Sequence, residues 1–293
     1  MNSIKQHNFN DYRSAIVKVT MLYFMGIFLL RLCSRALPFQ LNQPVLHNVN
    51  FDFTEGIFVA SGLSGFLLQN TVANWIFSLS LFLLPVLCFF KSSARWPFVL
   101  FSLVFFIYTL FNNLYVTHQQ HYLHFAWIIS IPFVARPGKG FDLLWQGVRY
   151  YACWFYTMAF LLKVINGSFF QEAFGEITIK TQMASYIFAH PHSVQTHLYT
   201  WLLQHPFWLN AGAKFTFLLE GVFIIGFFTR KSDKWLTCAG FLIFAFTAFS
   251  SDVFFIEQFV AITIAFTSPA VWQKWGRWLS FKSASEDKVY HCN

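Results

Sequence analysis

Runs of about 20 apolar residues recur along this 293-residue chain, separated by short stretches in which its charges gather. A hydrocarbon core of roughly 30 Å takes about 20 helical residues to cross, so each run predicts a membrane-spanning helix. We read eight, at about 16–35, 73–90, 97–116, 122–135, 146–165, 209–228, 235–251 and 253–271. The fourth is short, and Tyr122 and Trp127 sit where amphipathic rings help a tilted helix across. The expectation is an all-α fold: a polytopic membrane helical bundle of about eight transmembrane helices. A head at 1–15 and a tail at 272–293 flank the membrane domain at 16–271, whose outer loops are 36–72 and 166–208.

The basic residues orient this bundle, because short loops rich in Lys and Arg stay on the cytoplasmic side. Lys5, Arg13 and Lys18 precede the first span, and Lys91 and Arg95 join the second to the third. Arg136, Lys139 and Arg149 join the fourth to the fifth, and Arg230, Lys231 and Lys234 join the sixth to the seventh. With Lys274, Arg277, Lys282 and Lys288 in the tail, 15 of the 20 basic side chains fall on one face. Both termini are then cytoplasmic, and an integral, multi-pass cell (inner) membrane protein is expected. The formal charge of +8 follows from this topology and from attraction to anionic membrane lipid, and it calls for no nucleic-acid partner. Composition agrees: 56% hydrophobic residues with 11% charged ones, and 41 Phe, leave no room for an ordinary soluble domain.

The outer face differs in kind. Eight of the ten histidines fall there: His47, His118, His121, His124, His190, His192, His197 and His205. Histidine titrates near neutrality and binds metals, but it also suits an interfacial loop as an amphipathic ring. No cysteine or carboxylate stands at ligand spacing beside His190 and His192, so no metal site is assigned. The stretch 51–68, broken by Gly56, Gly62 and Gly65, either lies on the outer interface or dips in as a re-entrant segment. Asn166-Gly167-Ser168 is a glycosylation sequon on the same side. The five cysteines are scattered without a Cys-x-x-Cys pair, which argues against disulfide exchange. The polar head, and Leu37-Pro38-Phe39 after the first run, make a cleavable signal peptide unexpected. No linker, heptad array or internal repeat is evident.

Ionisable residues inside the spans are costly, roughly 3 kcal/mol each even on lenient insertion scales, and are functional candidates for that reason. They are Arg31 in the first span, Lys163 near the outer end of the fifth, Glu220 midway in the sixth, and Glu257 beyond Asp252 in the eighth. Lys163 breaks the positive-inside pattern. It is either a lysine snorkelling outward from a helix end or a partly desolvated amine able to act as a base. Glu220 is either the structural partner of Arg31 or Lys163, or part of the chemistry. The Phe-rich interior suits a lipid-like ligand such as a quinone, and equally suits lipid contact.

The order of these pieces resembles a known family. Gln119-Gln120-His121-Tyr122-Leu123, opening a span, is similar to the Asn-His-x-Tyr-Leu element of vitamin K-dependent gamma-glutamyl carboxylases. It is similar too to the bacterial horizontally transferred transmembrane (HTTM) domain proteins that share their membrane part. Tyr156 through Lys163 resembles that family's Tyr-x-x-Ala-Gly-x-x-Lys helix, and a helix with an internal glutamate follows, as Glu220 does here. The resemblance implies that Lys163 is the base that deprotonates a reduced quinone (vitamin K-like), supported by His121, in a site open to the non-cytoplasmic side. Tyr122, Tyr156, Arg31, Glu220 and Glu257 are the accompanying candidates for binding. Three departures stand out. Phe160 occupies the glycine position before the lysine, the family's later Trp is at best Phe169 or Phe170, and no counterpart of the carboxylases' substrate-gripping soluble region is evident. Carboxylation of a protein is therefore not expected.

Three functions stay open on this reading. One is a quinol- or lipid-dependent catalyst acting at the outer face through Lys163. Another is a non-catalytic membrane subunit whose loop 166–208 binds a partner peptide or protein for maturation or export. The third is a transporter with Arg31, Glu220 and Glu257 as an ion relay, against which stands the lack of a broken-helix pair or inverted repeat.

Overall fold

A computed structural model of the chain describes residues 2–41, 53–116, 122–251 and 256–279. The described residues are helical throughout, without a strand. In chain order the helices are α1 (Asn2–Cys33), α2 (Phe53–Ala60), α3 (Leu63–Gln69), α4 (Thr71–Phe90), α5 (Trp96–Tyr115), α6 (Tyr122–Ile128) and α7 (Lys139–Ile165). There follow α8 (Phe174–Gln182), α9 (Ala184–Ala189), α10 (Val194–Gln204), α11 (Pro206–Val222), α12 (Asp233–Ser251), α13 (Ile256–Phe266) and α14 (Pro269–Leu279).

Four helical segments are long and apolar enough to cross a membrane: Tyr12–Gln40, Thr71–Phe90, Trp96–Tyr115 and Pro206–Phe227. Two shorter apolar segments are His124–Val134 and Glu257–Phe266. The short fourth run is therefore broken, into α6 and a 3₁₀ turn at Ile131–Val134 that starts around Pro132. At 27 residues α7 has the length to span, but it carries Lys139, Asp142, Arg149 and Lys163 and is not among the four.

Helix α4 shows why these segments belong in lipid. Its outward side is apolar at helical spacing, with Ile76, Leu79, Leu83 and Phe90 each more than half exposed. Its buried side includes Asn74 and Ser78. A soluble helix hides the apolar stripe and wets the polar one. Here apolar residues face outward as well as inward, as a hydrocarbon solvent allows.

Contacts divide the chain into two units, one of residues 1–118, 130–142 and 267–293, the other of 119–129 and 143–266. In the first, α1 packs on α4 and α14, α4 on α5, and α5 on α2 and on the turn at 131–134. Phe24, Phe28, Phe101 and Phe105 interlock at its centre, with ring centroids 5.0 to 6.4 Å apart. Arg13, 3% exposed, ties the connections together rather than lying in a loop. It donates to the carbonyls of Ser92 and, at 2.9 Å, Phe133, and its guanidinium lies over the rings of Phe98 and Phe141. A buried polar layer joins Asn113 to Glu55 at 3.3 Å and Asn74 to the carbonyl of Pro38 at 3.1 Å. The stretch at 51–68 contributes α2 and α3, with Gly62 between them in the left-handed region (φ 74°).

In the second unit α11 is the centre, packed by α12, α8 and α10, while α12 packs on α13 and α13 on α6. The connection at 166–208 is mostly helical instead of a loop. Ile179, Met183, Tyr199 and Leu209 bury one another there, and Tyr199 Oη donates to the carbonyl of Phe249 at 2.6 Å. Arg149 and Asp233 close the other end: Nη2 donates to Oδ1 at 2.6 Å and to the carbonyl of Thr229 at 2.9 Å.

Candidate functional site

Helix α7 carries Lys163 in its last turn, where a cation meets the negative end of the helix dipole. Helix α11 carries Glu220 in its last turn, 7% exposed. The two close on each other. Lys163 Nζ donates to Glu220 Oε1 at 2.6 Å and to Oε2 at 2.5 Å, and it stands 4.9 Å from the centre of the Phe217 ring. One carboxylate with both oxygens on an ammonium, beside an aromatic face, is a tightly held ion pair.

Glycine 221 makes the approach possible. A Cβ there would meet the ring of Phe160 at 3.1 Å, so α7 and α11 touch through a large residue on one and none on the other. The bulk at position 160 is thus received by the helix opposite.

The pair lines a cavity of about 210 Å³. Phe155, Tyr156, Phe244 and Phe259 supply its aromatic part. Tyr156 is 6% exposed and stacks on Phe223, with centroids 4.5 Å apart. Its hydroxyl donates to Gln258 Oε1 at a long 3.4 Å. Gln258, 2% exposed, also lines the cavity, and its Nε2 has no hydrogen-bond partner.

Of the residues singled out from sequence, Lys163, Glu220 and Tyr156 come together here. Glu257 is buried in the first turn of α13 but does not line the cavity; its neighbour Gln258 does, because one residue turns about 100° around a helix. Arg31 belongs to the first unit, in the last turn of α1. His121 and Asp252 lie outside the described residues; Tyr122 opens α6, but its side chain is not described either. Among the described residues no three His, Cys, Asp or Glu side chains gather to hold a metal ion. Gln258 was missed because only ionisable residues inside the spans were singled out. The polarity of its amide in an apolar run is the signal that marks it.

Compared with protein-family models, with curated proteins and with solved structures, the chain finds no significant match.

Proposed function

We propose that this chain is a multi-pass inner-membrane protein of about eight spans with both termini cytoplasmic. In this reading it holds a reduced, quinone-like ring compound in the Lys163–Glu220 cavity and exchanges a proton with it. The observation that carries the proposal is an ion pair in a cavity wall, its carboxylate buried and its ammonium partly exposed. A carboxylate buried in an apolar span stabilises a fold poorly compared with apolar packing, so its pairing with Lys163 beside a cavity favours a use for the pair. An ammonium held by a carboxylate has no lone pair to offer. Base chemistry at Lys163 therefore runs through the pair: its proton passes to Glu220, and the free amine then takes one from the ligand's hydroxyl. His121 is the assisting residue that the family resemblance implies.

The test is mass spectrometry of the organic extract of protein purified in mild detergent, wild type beside Lys163→Met/Glu220→Leu. Removing both charges together leaves no orphan ion, so the variant keeps its fold. A stoichiometric ring-bearing lipid in the wild type, lost from the variant, supports the reading. Phospholipid alone in both sinks it. That outcome favours a subunit that docks a partner peptide or protein on the 166–208 connection, where Phe188, Phe207 and Trp208 are 90%, 71% and 61% exposed.

A further inference from the structure

Arg13 gathers more than backbone. It donates to the carbonyls of Ser92 and Phe133 and lies over the rings of Phe98 and Phe141, so two connections and the start of α7 meet around one side chain. Each of these four anchor points has an exposed cation within three residues of it. Lys91 adjoins Ser92, Arg95 precedes Phe98, Arg136 follows Phe133 and Lys139 precedes Phe141. All of them belong to the first unit. Among the described residues no carboxylate pairs with any of the four cations. Asp142, in the first turn of α7, is the only acidic residue in 91–98 and 131–142.

Like charges repel, so a fold that draws four cations together without counter-charge gains when an anion arrives. The start of α5 adds to the demand. Arg95 is its N-cap and makes no side-chain capping bond, and no acidic residue stands in the first turn. A cation therefore sits at the positive end of a 20-residue helix. Charged oxygen acceptors relieve both.

The surroundings say what carries the anion. Phe90, directly before Lys91, and Trp96 and Val99, in the first turn after Arg95, are exposed apolar side chains at the ends of two helices long enough to cross a membrane. Lys91 Nζ lies 5.9 Å from the centre of the Trp96 ring. A cation beside an amphipathic ring is the arrangement found at the level of lipid headgroups. A molecule that meets cations at one end and lipid-facing apolar residues at the other is an anionic phospholipid. Free phosphate would use only the first half of this surface.

We propose that Lys91, Arg95, Arg136 and Lys139 form a binding site for the phosphate of an anionic phospholipid, whose acyl chains run along α4 and α5. Arg13 brings together the connections that carry them. The site is independent of the Lys163 cavity. It also exceeds the general attraction of a basic face for lipid, because position and not charge count sets the preference.

Native mass spectrometry of the detergent-solubilised full-length protein, titrated with phosphatidylglycerol or phosphatidylcholine of one chain length, tests this. A basic side chain near an anionic lipid surface is worth about fivefold, so the wild type should hold one phosphatidylglycerol at least about tenfold more tightly than phosphatidylcholine. Lys91→Gln/Arg95→Gln/Arg136→Gln should abolish that preference. Unchanged phosphatidylcholine binding shows that the variant is folded. Arg230→Gln/Lys231→Gln/Lys234→Gln removes equal charge from exposed positions of the second unit and should keep the preference. Equal loss in both variants reduces the effect to bulk charge and overturns the site. So do a wild type without preference and a preference that survives the first variant. Displacement of the lipid by an equal concentration of glycerol phosphate overturns the phospholipid as the ligand in favour of a free phosphate.

Discussion

Lys163 and Glu220 show how little a single position conveys until its partner is known. Each reads alone as an expensive ion in an apolar helix. Their contact turns two liabilities into one pair, whose breaking is costlier than its removal. Lys163→Met should therefore destabilise the protein by roughly 3 kcal/mol, because the buried Glu220 loses its cation. The double variant Lys163→Met/Glu220→Leu should regain most of that loss, and thermal unfolding in detergent measures both. A double variant as unstable as the single one would show that the carboxylate has other duties. Arg35 offers a second test. It takes the left-handed conformation (φ 57°) that closes α1, with Ala36 N–H on the carbonyl of Arg31 at 2.9 Å and Arg35 N–H on that of Leu32 at 3.2 Å. Glycine is the usual occupant of that position. Arg35→Gly should raise stability by about 1 kcal/mol in the same assay.

At the scale of elements, the long apolar runs were legible because a membrane span needs only length and the absence of charge. The runs behind α4, α5 and α11 became helices close to the expected bounds. What was not legible depends on tertiary contact. The connection at 166–208 mixes Gln, Thr, His and Pro with its apolar residues, and this hid α8, α9 and α10, which form by packing on the core rather than by periodicity. The clearest such contact is at Gly175, where a Cβ would strike the carbonyl of Leu209 on α11. Backbone cannot step aside as a flexible side chain can. Gly175→Ala should lift α8 from α11, and hydrogen exchange at 174–182 should quicken while that of α4 stays as it was. Unchanged exchange in α8 would mean that the helices re-seat without cost.

For the whole molecule the outstanding question is which way its ends face. In a chain whose five cysteines are replaced by alanine, His192→Cys should react with a membrane-impermeant thiol reagent only from outside. Lys231→Cys should react only after the cytoplasmic side is opened. Both labelled from one side would remove the eight-span topology and leave the four long apolar segments as its firm part. Sequence carried the class of the molecule and three of the residues in its cavity, Lys163 and Glu220 because charge in an apolar run is conspicuous and Tyr156 through the family resemblance. It did not carry Gln258, which reaches the same cavity only through the packing of α13. Phe160 against Gly221 has a consequence of the same kind for comparisons between distant chains. The two positions share one allotment of volume, so a pattern demanding a small residue at 160 scores a mismatch where the sum is preserved. Relatives that keep this contact should exchange the two sizes together, and co-variation between the positions, not identity at either, is the trace to follow.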